Sequence, residues 1–172
     1  LRGWPDPKID MAHMWELYAM WTLVAAYFIQ VFLATGSGRA TTLGDLAGFL
    51  AIAAGGVGSV VAGRWADRWG REEVASAAML VSGGCALTAG WLVGVSPWLV
   101  VPVGLVWGFT VVADSAQFSA LVTEVAPQHA VGTALTLQTS LGFALTAGSI
   151  ALTVEAVTAW GWGLAFSLLA VG

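Results

Sequence analysis

The chain has 172 residues, of which 58% are hydrophobic and 9% are charged, and its formal net charge is −4. A soluble domain averages about 25% charged residues, so this chain has too few to cover the surface of a water-soluble globule. The high hydrophobicity also excludes an intrinsically disordered chain. The lack of a basic stripe argues against nucleic acid as a partner. The composition predicts a protein whose main solvent is the lipid bilayer.

Long uncharged stretches follow one another along the chain. The charged residues that bound them are Glu16 and Arg39, Asp45 and Arg64, Glu73 and Asp114, and Glu124 and Glu155. About 20 apolar residues cross a bilayer as a helix, so these stretches predict an all-α polytopic membrane protein. We expect one transmembrane domain over 1–172 with six helices, at about 12–35, 43–63, 73–94, 97–123, 130–153 and 157–172.

The cationic residues are distributed unevenly between the two ends of the predicted helices. One side would hold a single cation, Arg39. The other side would hold five: Arg2, Lys8, Arg64, Arg68 and Arg71. Because cytoplasmic loops carry an excess of lysine and arginine, this bias predicts a multi-pass inner-membrane protein with both termini in the cytoplasm.

Small residues recur at every fourth position in three of the predicted helices. The three strips are Ala51-Gly55-Ser59-Gly63, Ser82-Ala86-Gly90-Gly94 and Ser140-Ala144-Gly148. Small side chains let helix backbones approach closely in lipid, where van der Waals packing replaces the hydrophobic drive. We interpret the strips as faces for tight helix packing.

A charged motif stands where the loop after the second helix is expected. It reads Gly63-Arg64-Trp65-Ala66-Asp67-Arg68-Trp69-Gly70-Arg71. The spacing from Gly63 to Asp67 would let the chain turn out of the helix, and Asp67 could accept hydrogen bonds at a neighbouring helix N-terminus, where the dipole favours an anion. Arg68 and Arg71 could bridge to the carboxylate of Glu124. The alternative is that the arginines only anchor the loop to anionic lipid.

This motif is similar to the G-x-x-x-D-R-x-G-R loop that joins the second and third helices of each half of a major facilitator superfamily transporter. Two more segments, HMWELYAMW at 13–21 and ADSAQFSALV at 113–122, resemble the seventh and tenth helices of bacterial members. The resemblance covers nearly the whole chain but only the C-terminal half of a usual member, helices seven to twelve. It implies a half bundle of two inverted three-helix repeats. It also implies a cytoplasmic gate made of Gly63, Asp67, Arg68, Gly70, Arg71 and Glu124.

Asp114 is the first candidate for a substrate or proton pathway, and Gln117 lies on the same face of the predicted fourth helix. A carboxylate inside a bilayer costs at least about 2.5–3.5 kcal/mol, so it usually faces a cavity or a partner. The alternative is a packing role, in which Asp114 is hydrogen-bonded to neighbouring helices.

Four further polar residues are pathway candidates. In the first helix, Tyr27 and Gln30 could fix the orientation of a small ligand. Glu16 either belongs to the same lining or lies at the level of the lipid headgroups. In the fifth helix, Gln138 could line the pathway or be structural.

The function expected from the resemblance is secondary active transport of a small solute by alternating access. The chain would be one half of the transporter, and its partners would be the bilayer and a second six-helix half. The alternative is a non-transporting scaffold or accessory subunit of a larger membrane complex. No nucleotide-binding loop, zinc-protease motif or nucleophile elbow occurs, so we expect no enzymatic activity, no catalytic residues, no cofactor and no metal.

Overall fold

The computed structural model describes the backbone of residues 7–113, 119–120, 122–124 and 126–170, and side chains from residue 14 onward. Most residues in these ranges are helical, and none of the described residues is in a β-strand. Helix α1 spans Pro7–Ala34, α2 Ala40–Trp69, α3 Arg71–Ala89, α4 Pro97–Ala113 and α5 Val131–Leu169. A short 3₁₀ turn, Gly90–Leu92, follows α3, and helical backbone recurs at 119–120 and 122–124.

Four of the described helices are long and apolar enough to cross a membrane. They are α1 from Met14, α2, α3 together with the 3₁₀ turn, and α5. Helix α4 is a shorter apolar helix of 17 residues in the described range, and it contains Pro102. The length and composition of the helices therefore agree with the polytopic class predicted from the sequence.

Helix α2 is longer than the sequence predicted. It continues through the charged motif to Trp69, rather than ending near 63, because Gly63 keeps a helical conformation. Gly70 ends the helix instead, with φ 96°, a left-handed backbone conformation that favours glycine. The backbone N–H of Gly70 donates to the carbonyl of Ala66.

The break in α5 also lies further along the sequence than expected. We predicted a connection between 153 and 157, but Thr153 and Ala156 are buried within continuous helix. The break lies at Gly161, whose φ of 81° and ψ of 175° are accessible essentially to glycine alone. The segment 162–169 is therefore a separate helical piece that follows a sharp change of backbone direction.

The helices pack around α1 and α4. Helix α2 packs on both α1 and α4, α3 packs on α4 and α5, and α5 packs on α1. The α1–α4 contact crosses the centre of the bundle. The core there is made mostly of large side chains that are almost fully buried: Met20, Val24, Tyr27, Phe28, Val31, Trp107 and Phe166.

The predicted small-residue faces are confirmed only in part. On α2 the buried face follows Ala51, Gly55, Gly58, Ala62 and Ala66, so it leaves the four-residue strip after Gly55. A helix turns once in 3.6 residues, so strict four-residue spacing drifts out of any one face. On α5 the strip was wrong, since its members Ser140, Ala144 and Gly148 are exposed.

Glycines on α2 and α4 allow these two helices to approach each other closely. A Cβ on Gly108 would meet the carbonyl oxygen of Ala51, and one on Gly58 would meet the carbonyl oxygen of Phe109. The two backbones therefore touch directly. This is the packing mode that small residues permit between helices in lipid.

Candidate functional site

A carboxylate lies inside the bundle, where three helices meet. Oε1 of Glu16 on α1 accepts a hydrogen bond from Ser82 Oγ on α3 at 2.6 Å and another from Trp107 Nε1 on α4 at 2.6 Å. Glu16 is only 9% exposed, and both donors are buried. Glu16 therefore lies among the helices, hydrogen-bonded to two of them.

The local sequence explains why these three side chains converge. Glu16 shares the buried face of α1 with Met20, Val24 and Tyr27, which recur at helical spacing. The ring of Trp107 packs edge-on against Phe166 at a centroid distance of 5.1 Å, which fixes the direction of its N–H. Hydrogen bonds to an ionised group are about twice as strong as neutral ones, so this cluster ties α1 to α3 and α4.

Tyr27 has a structural position rather than the lining position that the sequence suggested. Its side chain is 1% exposed, and its hydroxyl donates to the carbonyl oxygen of Ala89 at 2.6 Å. Ala89 is the last residue of α3, where carbonyls lack partners within the helix. The rings of Phe28, Trp162 and Phe166 surround the Tyr27 ring.

Helices α1 and α5 pack on each other and both carry exposed polar side chains, which we call together the α1–α5 polar face. Its contributions from α1 are Thr22 and Gln30, both exposed. Those from α5 are also exposed: Thr133, Thr136, Thr139 and Ser140. Tyr18 and Phe143 link the two helices, with ring centroids 5.3 Å apart. Gln30 is thus exposed on the surface of the bundle, whereas Tyr27 is buried.

Two buried polar atoms near this face have no hydrogen-bond partner within the described part of the chain. They are Nε1 of Trp21 on α1 and Oε1 of Gln138 on α5. Buried polar atoms are nearly always hydrogen-bonded in folded proteins, so each unpaired one calls for an explanation. A water, a ligand or a second protein would supply the missing partners.

The motif residues lie where α2 gives way to α3. Arg71 begins α3, and its Nε lies 2.8 Å from Oε1 of Glu124, which is the ion pair expected from the sequence. Asp67 and Arg68 are both exposed, and neither makes a hydrogen bond or ion pair with another described residue. Open space surrounds Gly63. Of the six predicted gate residues, therefore, the structure brings together Arg71 and Glu124.

Asp114 and Gln117 lie outside the described residues. Ser82 and Trp107 are the interacting residues that sequence reasoning missed, although each lay on a face that it singled out. Ser82 belonged to a predicted packing strip, and Trp107 precedes Asp114 by two helical turns, which places it on the same face of the predicted helix. The available signal was that a tryptophan N–H and a serine hydroxyl in apolar helices need acceptors, and Glu16 is one.

Comparisons with known proteins supply no relative for this chain. No family model, no curated protein and no solved structure matches it. Within the described residues, no three His, Cys, Asp or Glu side chains are grouped so as to hold a metal ion. The features of the chain that bear on its function are therefore the hydrogen-bonded cluster at Glu16 and the α1–α5 polar face.

Proposed function

We propose that the chain is one six-helix half of a secondary transporter in the inner membrane, with both termini in the cytoplasm. The observation that carries the proposal is the α1–α5 polar face. Over Leu46–Val60, by contrast, α2 exposes only apolar side chains and glycine. The hydroxyls of Thr22 and Thr136 donate to carbonyls of their own helices, whereas the buried Oε1 of Gln138 has no partner among the described residues. We assign the missing partner to a passage shared with a second half.

The helix contacts support an arrangement in two inverted repeats. In such a repeat, α1, α2 and α3 correspond to α4, the segment 131–160 and the segment 162–169. The packing of α2 on α4 then corresponds to that of α5 on α1. The packing of α3 on α4 corresponds to that of 162–169 on α1, where Trp15 Nε1 donates to the Leu168 carbonyl and Tyr27 meets Trp162. Transporters of this kind bind substrate near the midplane, between repeats.

The chemistry of the face indicates the kind of solute. The exposed polar groups that define the face are the hydroxyls of threonine and serine side chains and the amide of Gln30. Such groups orient a small polar solute by hydrogen bonds. In this proposal any counter-charge for an ionic solute comes from the second half.

A scaffold or accessory subunit is the second candidate function, and one observation favours it. Both donors to Glu16 belong to this chain, and the cluster ties three helices together. Hydrogen bonds that hold three helices together inside one chain stiffen the bundle, which is what a scaffold requires. The two candidates differ in whether water reaches the α1–α5 polar face.

Cysteine accessibility in the native membrane tests the proposal. On a Cys85→Ala background, Thr22→Cys and Ser140→Cys place thiols on the polar face, and Phe49→Cys and Val57→Cys place matched thiols on the apolar face of α2. A charged, membrane-impermeant methanethiosulfonate reacts with thiolates, which form only where water reaches. We expect labelling of the first pair and not of the second.

Equal protection of all four thiols would contradict the transport proposal. Protection of Thr22→Cys and Ser140→Cys together with their cross-linking to another chain would favour the scaffold. Orientation is tested separately, since a thiol at Arg68→Cys should react only from the cytoplasmic side.

A further inference from the structure

A cleft of about 640 Å³ opens on the outside of the bundle, where α1 ends and α2 and α4 begin. Its walls are mainly apolar and include Phe32 of α1, Leu46 and Leu50 of α2, and Val101 of α4. Leu46 is 52% exposed and Leu50 is 44% exposed, so these walls are not covered by the rest of the chain. In a helix bundle within a membrane, such a surface meets either lipid or another protein.

The mouth of the cleft is polar, and a cationic residue lies beside it. Thr35 and Ser37, which follow the end of α1, line that end. Ser37 Oγ accepts a hydrogen bond from the backbone N–H of Arg39 at 3.3 Å, which places Arg39 beside the mouth. The Arg39 side chain is exposed and has no carboxylate within ion-pair distance in the described ranges.

Among the described residues, none of those that line the cleft is acidic. The acidic residue nearest to Arg39 along the chain, Asp45, does not line the cleft. Helical spacing places Asp45 on the opposite side of α2 from the lining residues Leu46 and Leu50. The first turn of α2 also contains no acidic residue.

The wall formed by α4 indicates where the cleft lies relative to the membrane surface. Trp98, 88% exposed in the first turn of α4, lines it, and tryptophan prefers the level where headgroups meet acyl chains. Pro102 also lines the cleft, and because proline has no N–H, it cannot donate to the carbonyl of Trp98 four residues earlier. One end of the cleft therefore has two hydroxyl groups with Arg39 beside them, and the rest of the lining is apolar.

We propose that this cleft is a binding site for a glycerophospholipid, with the phosphate at Arg39 and one acyl chain along Leu46, Leu50 and Val101. The gradient from one cation to apolar walls matches a phosphate joined to a hydrocarbon chain. A protein side chain would match the apolar part alone. The inference requires that the helices lie in a membrane, and it is independent of whether the chain transports a solute.

Photo-cross-linking of the full chain in its native membrane tests which molecule occupies the cleft. A benzoylphenylalanine replaces Leu46 in the cleft, or Ile52, an exposed α2 residue outside it, as the matched control. We expect adducts with the mass of a phospholipid at position 46, well in excess of those at 52. Protein adducts at 46, or equal lipid labelling at the two positions, would overturn the proposal.

Native mass spectrometry with added palmitoyl-oleoyl-phosphatidylglycerol tests the headgroup contact. Arg39→Gln should weaken lipid retention by about fivefold, since one arginine near an anionic lipid contributes roughly 1 kcal/mol. Arg64→Gln, an exposed arginine on α2 far along the chain, is the control and should retain the lipid. Leu46→Trp, a substitution at an exposed position, should fill the cleft and therefore lower lipid retention. Unchanged retention by Arg39→Gln, or equal loss in Arg64→Gln, would refute the site, whatever the outcome of the thiol-labelling experiment.

Discussion

The indole N–H of Trp107 lies 2.6 Å from Oε1 of Glu16, and neither residue has appreciable contact with the outside of the bundle. The same oxygen accepts the hydroxyl of Ser82. A carboxylate held in this way replaces the water that it loses on burial with two donors from two other helices. The position of α1 relative to α3 and α4 therefore depends in part on Glu16, together with the hydrogen bond from Tyr27 to Ala89.

Replacing Glu16 should reveal this dependence. Glu16→Leu leaves the donors of Ser82 and Trp107 buried without an acceptor, at roughly 1–3 kcal/mol for each donor. Glu16→Gln keeps an acceptor oxygen and should lose less. The measurement is the free energy of unfolding in mixed micelles, with the exposed Glu155→Leu as control. A Glu16→Leu protein as stable as the wild type would contradict the prediction.

The direct contact between α2 and α4 predicts a position-specific effect of added methyl groups. Gly108→Ala and Gly58→Ala should each destabilise the bundle by roughly 1–3 kcal/mol, because the new Cβ would overlap a backbone carbonyl that cannot move easily. Gly56→Ala, on the same helix with open space around it, should be neutral or slightly stabilising. Equal effects at Gly56 and Gly58 would show that the helices do not touch there.

The break in α5 predicts a different effect for Gly161. Gly161→Ala should cost roughly 1–3 kcal/mol from backbone strain alone, although no atom lies near the added methyl group. Gly84→Ala, in a regular helix with equally open surroundings, should instead gain a few tenths of a kcal/mol from helix propensity. Thermal unfolding of the two variants in detergent separates strain from packing. Identical melting temperatures would place the break elsewhere.

The ion pair of Arg71 and Glu124 should contribute little to stability. Both side chains are substantially solvent-accessible, at 30% and 55%, so water and salt weaken the attraction. Arg71→Gln should therefore change the free energy of unfolding by only about 0–1 kcal/mol, and less at high salt. The matched control is Arg68→Gln, since Arg68 is exposed and lacks an ion pair in the described ranges. A salt-independent loss of unfolding free energy well above this range would mean that the ion pair is shielded from water.

Several features of the fold could be predicted from local sequence. Long uncharged stretches predict membrane-length helices because a bilayer interior accepts few charges. The pairing of Arg71 with Glu124 was also accessible, since both lie at helix ends on the same predicted side. These features depend on composition and on the order of helices along the chain, and both are visible in the sequence.

Only the tertiary structure decided where the polar groups of the helices lie. Helical periodicity groups residues into faces, but it does not say which face meets a neighbour. Glu16 and Tyr27 turned inward to donors or acceptors on α3 and α4, while Gln30 and Ser140 remained outside. The end of α2 at Gly70 and the break at Gly161 depend on positive φ values that several other glycines of the chain could also have adopted. The choice among them is made by the packing of whole helices, because only that packing determines which backbone must turn and which carboxylate must be buried.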